Sequence, residues 1–427
     1  MFSLMFKRIP GTKDILPDEA DCWQEIEGIS RSIFSLYNYR EIRTPLLETS
    51  SLFDRSLGRS AEIVQKQMFL IKGKEDIFAL RPEGTAGIVR SFLENNLDKT
   101  YGFSKFYYIG PMFRFERPQK GRLRQFQHIG CEAIGSLDAA LDVEAVSLAS
   151  NLLDAFSVKD YKIKINSLGC AKDKEGLASR LKKAFRSKLT ALCQECRERF
   201  DRNVLRILDC KKEACRQAAE ELGIGDSYLC PECKSHFSQV KKGLDSLKIN
   251  YVITPQLVRG LDYYTRTVFE ITHKALGAQD ALGAGGRYDN LVKELGGPDL
   301  GAVGFAFGVE RLLLVHSPQS TVHSKNLVYL ITLGEEAKKE GLKLLDSLRK
   351  NGIACDTDYE GKSLKGALRK ANDLGAGYVL MLGEDELKKG TVALKDMASG
   401  IQEEVSAVNL VQALKGKICL RPIAAVN

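Results

Sequence analysis

Apolar positions in WQEIEGISRSIFSLYNY, inside residues 11–39, recur on one helical face after a turn written GTKDILPDEA. YREIRTPLLETSSLFDRSLG follows as a short strand; Pro45 cannot donate to a ladder, so this strand is an edge or ends at a boundary. QMFLIKGKEDIFAL predicts a hairpin turning at KGKED, and IVRSFLENNL a helix. Residues 106–135, FYYIGPMFRFERPQKGRLRQFQHIGCEAIG, read as two strands rich in aromatic and β-branched residues around a turn-rich centre. DAALDVEAVSLASNLLDAF then predicts a helix and YKIKINSLG an alternating strand. From about Cys170 to Ile249 the chain turns rich in lysine, arginine, glutamate and cysteine at helical spacing, as in an inserted helical domain. Strand character returns in YVITPQLVRGLDYYTRTVFEITH, and GAVGFAFGVERLLLVH is a strand feeding a helix. Beyond a linker near SPQSTVHSK, residues 326–427 alternate strand and helix, which predicts a small α/β domain with a largely parallel sheet.

Composition changes this picture little. The 427 residues are 44% hydrophobic and 28% charged, ordinary for a soluble globular protein of two to four domains. A formal charge of +8 permits a polyanionic partner without demanding one. The first six residues are too short an apolar run for a secretory core, and no run approaches a membrane span. The expectation is a cytoplasmic protein with no membrane partner, whose 11 cysteines are thiols or metal ligands. Cys193 and Cys196 form one CxxC pair, and Cys230 and Cys233 a second. Two such pairs can supply four thiolates to a structural Zn2+; free thiols are the alternative.

Charge placement says more. Arg114 and Arg124 lie in strand-like sequence around a loop that also holds Arg117, Lys120 and Arg122. Like charges repel, and the arginine fork suits phosphate, so an anion is expected among them. Glu83 and Thr85 precede a helix, either as an ordinary N-cap arrangement or as a site for a cationic ligand group. Val258–Tyr264, VRGLDYY, reads as a strand with polar groups on both faces. Arg259 there is either paired to Asp262 or a fixed cation for developing phosphate charge, with phenol hydroxyls nearby for a polar substrate. GAGGRY at 283–288 is not a dinucleotide fingerprint, and no P-loop occurs; its glycines, like Gly304 and Gly308, allow close approach of a ligand or another strand.

RTPLLE at 43–48, MFRFERPQKGR in the hairpin and GFAFGVERLLL at 304–314 resemble the three motifs of class II aminoacyl-tRNA synthetases. LVRGLDYYTRTVFE at 257–270 and AGGRYDNLVKELGG at 284–297 resemble stretches specific to the histidyl-tRNA synthetase family. The resemblance implies an α+β fold: an antiparallel catalytic sheet flanked by helices, a helical insertion and a C-terminal α/β anticodon-binding domain. The corresponding segments are 1–168 and 251–322 for the catalytic domain, 169–250 for the insertion and 323–427 for the last domain. It implies ATP-dependent ligation of L-histidine to its tRNA through histidyl-adenylate, with Mg2+ on the phosphates, in a homodimer. By the same resemblance Arg114 and Arg259 bind the α-phosphate, and Glu116, Arg122 and Arg311 contact adenine and terminal phosphate over Phe126. Glu83 and Thr85 hold the α-ammonium, while Glu132 and Tyr264, with Tyr263 alongside, bond the imidazole. Gln119 and Arg124 face the tRNA acceptor end. The family has histidine then glutamine after the hairpin phenylalanine; here Gln127 precedes His128, and either could face the substrate histidine. A regulatory paralogue that binds histidine without charging tRNA is the alternative implied function.

Overall fold

The computed structural model describes residues 6–58, 61–277, 279–316 and 327–418. The chain divides into two compact units, Met1–Pro318 and Gln319–Asn427. The linker expected near SPQSTVHSK lies outside the described residues.

Strands of the first unit are β1 (Arg40–Glu41), β2 (Leu47–Thr49), β3 (Phe69–Lys72), β4 (Ile77–Leu80), β5 (Ser104–Phe113) and β6 (Gln125–Ile134). They continue as β7 (Tyr161–Ser167), β8 (Tyr251–Ile253), β9 (Thr265–His273), β10 (Ala281–Arg287) and β11 (Ala302–Gly308). Eight of them form one sheet in the order β1-β5-β6-β11-β10-β9-β7-β8. Its central pairings are antiparallel, and only the edge pairs β1–β5 and β7–β8 are parallel. β2, β4 and β3 make a separate small sheet. Pro45 sits between two edge strands, β1 and β2, so it interrupts no ladder.

The hairpin of β5 and β6 organises this unit. Alternation along β6 sends Ile129, Cys131 and Ala133 into one apolar cluster. That cluster includes Trp23, Ile26 and Phe34 of the Pro17–Leu36 helix and the apolar stripe of the Ala139–Ala155 helix. Phe34 stacks on Tyr107 with ring centroids 4.7 Å apart, fixing the first helix on the sheet. The intervening residues Phe126, His128 and Glu132 line a cavity instead.

The insertion is helical, as its spacing predicts, with helices Ala171–Arg186, Gln194–Arg202, Glu213–Glu220 and Pro231–Ser246. One expectation fails beside it: Val258–Tyr264 is a loop, and β9 begins only at Thr265. The reason is visible in its hydrogen bonds, which go to side chains rather than to a neighbouring strand. Lys174 Nζ donates to the carbonyls of Asp262 (2.8 Å) and Tyr264 (2.9 Å), and Arg206 Nη1 to that of Arg259 (2.9 Å).

In the second unit β12 (Val328–Thr332), β13 (Cys355–Thr357), β14 (Tyr378–Leu382), β15 (Thr391–Asp396) and β16 (Gln402–Ser406) pair in the order β13-β12-β14-β15-β16. The first three are parallel, while β15 and β16 run antiparallel as a hairpin. The sheet is thus mixed, and VSAVNLVQALKG divides between the end of β16 and the helix Leu410–Lys415 rather than forming one element.

Candidate active site

A cavity of about 240 Å³ opens on the face of the large sheet away from the two long helices. Carboxylates and phenols line one end. Glu83 is buried, and its two carboxylate oxygens accept the main-chain N–H groups of Thr85 (2.7 Å) and Ala86 (2.9 Å) at the start of the Thr85–Glu94 helix. It therefore caps the helix and lines the cavity at once. Burial raises its carboxyl above the usual range, against the pull of those N–H groups and of Arg114. Glu132 accepts from Thr85 Oγ1 (2.7 Å) and from Tyr288 Oη (2.5 Å). Full burial pushes its pKa up to about 8. Tyr263 packs on Tyr264 and Tyr288, with centroids 4.7 and 5.6 Å apart.

Arginines line the other end. Arg114 Nε donates to the Pro82 carbonyl (2.9 Å), and its guanidinium lies 5.3 Å from the Phe126 ring centroid. Arg311 donates to the carbonyls of Gly121 (3.0 Å) and Ala281 (2.6 Å), tying the third motif to the hairpin loop. Arg122 is ion-paired with Glu116. Burial lowers the pKa of Arg114, Arg122 and Arg311. Mutual repulsion adds to this, since Arg311 and Arg114 depress Arg122, and Arg114 depresses Arg311. Arg259 Nη1 bonds Glu270 (2.6 Å), not Asp262, and its Nε is buried without a hydrogen-bond partner.

Twelve of the sequence-predicted residues thus share one cavity: Glu83, Thr85, Arg114, Glu116, Arg122, Phe126, His128, Glu132, Arg259, Tyr263, Tyr264 and Arg311. Gln127 alternates with His128 along β6 and does not line the cavity, although its main-chain N–H donates to both oxygens of the cavity-lining Glu310 (3.0 and 3.1 Å). The His128 ring packs edge-on against Phe126 at 5.1 Å; burial, with Arg114, Arg81 and Arg311 nearby, pushes its pKa down to about 3. It is a neutral imidazole at any physiological pH. Gln119 is exposed in the hairpin loop. Arg124 is engaged elsewhere, donating to the carbonyls of Glu116 (3.2 Å) and Pro10 (3.1 Å) and covering Phe115.

Sequence reasoning missed Tyr288, Tyr108 and Glu270. Tyr288 alternates with the neighbouring Arg287, which is fully buried and bridges Asp142 (2.7 Å) and Asp289 (2.9 Å). The RYD triplet inside the stretch 284–297 was the available signal for this pair. Gly304 also gains a specific role: it pairs with Glu132 across β11 and β6, and a Cβ there would lie 1.9 Å from Glu132 Oε2.

The cysteines require a correction. Cys193 and Cys196 gather with Cys210 and Cys215, whereas Cys230 and Cys233 gather with Cys170 and Asp173. The four CxxC thiols therefore do not make one site. Each CxxC opens its own helix, Gln194–Arg202 or Pro231–Ser246, and the two helix starts face different partners.

Antiparallel sheet, hairpin arginines and strand-to-helix Arg311 define the first unit as the catalytic domain of a class II aminoacyl-tRNA synthetase, accompanied by an α/β domain of the anticodon-binding kind. The family described as histidyl-tRNA synthetase matches residues 11–312, and the anticodon-binding domain matches residues 327–417. A histidine–tRNA ligase of Desulforamulus reducens is 42% identical over 418 residues, 97% of this chain and 100% of that protein. One of Thermotoga petrophila is 43% identical over 407 residues, covering 94% and 96%. The apo structure of Staphylococcus aureus histidyl-tRNA synthetase is similar with a TM-score of 0.80 and 35% identity, covering 96% of this chain and 100% of that one. The chain belongs to the histidyl-tRNA synthetase family.

Proposed function

We propose that this cavity joins L-histidine to ATP as histidyl-adenylate and then delivers the histidyl group to the terminal ribose of its tRNA, releasing AMP. The observation that carries the reading is a set of desolvated, mutually repelling arginines facing two buried glutamates across one cavity. Such a cavity is suited to a ligand that is anionic at one end and a hydrogen-bond donor at the other.

In the first step a histidine carboxylate oxygen attacks the α-phosphorus, the bond to the bridging oxygen breaks, and pyrophosphate leaves with its Mg2+, which enters as part of the nucleotide substrate. Arg114 and the free Nε of Arg259 are the donors for the α-phosphate, where negative charge concentrates. Arg122 and Arg311 take the outer phosphates, with Glu116 and Phe126 on the adenine. The α-ammonium goes to Glu83 and Thr85. Glu132 and Tyr264, supported by Tyr263, bond the two imidazole nitrogens. Pairing both nitrogens rejects apolar analogues by about four to five powers of ten, because a wrong side chain strands buried polar groups. His128 is the β6 residue available to the substrate, in place of a glutamine. Gln119 and Arg124 are assigned to the tRNA end.

We further read residues 169–250 as a discrete insertion between catalytic segments 1–168 and 251–322, and 323–427 as the anticodon-binding domain. A second copy is the expected partner: Leu46, Leu47, Leu70, Ile71 and Ile77 are exposed on or beside the small β2-β4-β3 sheet, which includes part of the first motif. No helix among the described residues is long and apolar enough to cross a membrane. As a tRNA-charging enzyme the protein is read as cytoplasmic. The regulatory alternative is disfavoured by the presence of Arg259 and by the match of residues 327–417 to an anticodon-binding domain.

The test is ATP–pyrophosphate exchange across all amino acids, followed by charging of total tRNA. Exchange with histidine alone is expected; exchange with none, or equally with all, removes the assignment.

A further inference from the structure

We propose that the insertion is pinned by two structural zinc ions, one held by Cys193, Cys196, Cys210 and Cys215 and one by Cys170, Asp173, Cys230 and Cys233, and that they fix the loop carrying Arg259 and the tyrosine pair. In each group the four ligand atoms lie within 4.8 Å of one another. A zinc–sulfur bond of about 2.3 Å in tetrahedral geometry needs sulfurs about 3.8 Å apart, so little adjustment closes either cage. Cys193 Sγ and Cys210 Sγ are already 4.0 Å apart.

Local geometry favours thiolates. Cys170, Cys193 and Cys230 each precede the first residue of a helix, where N–H groups and the helix dipole stabilise negative sulfur. In both CxxC pairs the second cysteine lies in the first turn of that helix, so both sulfurs reach the same point. The supporting contacts are those of ligands oriented from outside. Cys193 N–H donates to Cys215 Sγ (3.2 Å), and Asp173 accepts the N–H groups of Cys170 (3.3 Å) and Cys230 (3.0 Å). Seven thiols and one carboxylate select a thiophilic ion over magnesium or calcium.

The coupling to catalysis is through sequence neighbours. Lys174, next to Asp173, holds the carbonyls of Asp262 and Tyr264; Arg206, in the turn Val204–Asp209 that leads to Cys210, holds that of Arg259. This half of the proposal rests on the histidine-activation reading above; the metal half does not.

Metal analysis of the purified full-length protein, prepared without chelators, should give two zinc ions per chain. X-ray absorption should show a first shell of seven sulfurs and one oxygen summed over both. Cys210→Ser should lose one ion, and Asp173→Cys should keep two while replacing the oxygen by sulfur. Fewer than two ions, bound iron, or a sulfur count well below seven overturns the metal sites, and the absorption measurement does so on the unaltered protein even if a variant fails to fold. In Cys210→Ser the KM for histidine should rise at least tenfold. Zinc loss with an unmoved histidine KM overturns the loop coupling, whereas absence of histidine-dependent exchange in the unaltered protein overturns the functional reading instead.

Discussion

Replacing Glu132 by glutamine should stabilise the empty protein at alkaline pH while weakening histidine binding. Glu132 is fully buried and holds its proton up to about pH 8 rather than the ordinary 4.5. The folded state therefore binds more protons than the unfolded one between those values, and stability must fall as pH rises through that window. At about 1.4 kcal/mol per pH unit, the loss amounts to roughly 4–5 kcal/mol by pH 8, and it levels off above. Glutamine keeps the shape and can still accept from Thr85, but it carries no titrating charge. Unfolding by urea, followed in parallel for both proteins from pH 5.5 to 8.5, should give the variant a shallower loss of stability with pH. Binding moves the other way: on the proposed reading the neutral Glu132 carboxyl pairs with the imidazole, and leaving that buried polar contact mismatched costs about 1–3 kcal/mol, roughly 5- to 150-fold in the KM for histidine. Identical pH slopes would refute the buried-carboxyl argument, and an unchanged KM would refute the contact.

Gly304→Ala should act on the same carboxylate by sterics, since the new Cβ must displace Glu132 Oε2 and the Cys131 carbonyl, 1.9 and 2.4 Å away. A stability loss of about 1–3 kcal/mol or more is expected, with a raised histidine KM, readable by thermal melting and exchange kinetics. Arg259→His should lower kcat for histidine-dependent exchange by about 10²- to 10³-fold with native circular dichroism, as removal of one preorganised donor costs about 3–4 kcal/mol. His128→Ala should raise the histidine KM roughly tenfold, a loss of about 1.4 kcal/mol. Gln127→Ala should change it less than about twofold; the reverse order would return the substrate role to Gln127.

Strand pairs and helices of the large sheet were legible because their patterning is local: the β5–β6 hairpin, the Ala139–Ala155 helix and the strand feeding Arg311 all follow from residue spacing. Val258–Tyr264 was misread for a physical reason. Its aromatic and aliphatic content has strand propensity, but its carbonyls are claimed by Lys174 and Arg206 from a distant part of the chain, and no spacing rule reports that. The same limit explains the cysteines. CxxC is visible in sequence, but the topology of the insertion decides which pair meets which, and here Cys210, Cys215, Cys170 and Asp173 separate them. Tyr288 was hidden by a different effect: GAGGRY draws attention to its glycines, while the tyrosine hydroxyl, which donates to Glu132, is the feature that matters.

The cavity is arranged at the expense of the empty fold. Burial lowers the pKa of Arg114, Arg122 and Arg311; repulsion from Arg259 adds to this at Arg114, from Arg311 and Arg114 at Arg122, and from Arg114 at Arg311. Burial also drives Glu83 and Glu132 toward the protonated state, so each end holds like groups that water would otherwise screen. Arg114 is where the two ends meet, because Glu83 is its principal electrostatic support. That contact falls where the amino-acid end of the cavity gives way to the phosphate end. On the proposed reading a bound histidine would donate to Glu83 and Glu132 and a bound phosphate would neutralise the arginines, so each substrate would relieve a separate strain. Relief at Glu83 by an ammonium also withdraws that carboxylate from Arg114, leaving its guanidinium freer for the α-phosphate. Histidine and ATP should accordingly bind with mutual assistance, and the pair of charges at Glu83 and Arg114 is the element through which it passes.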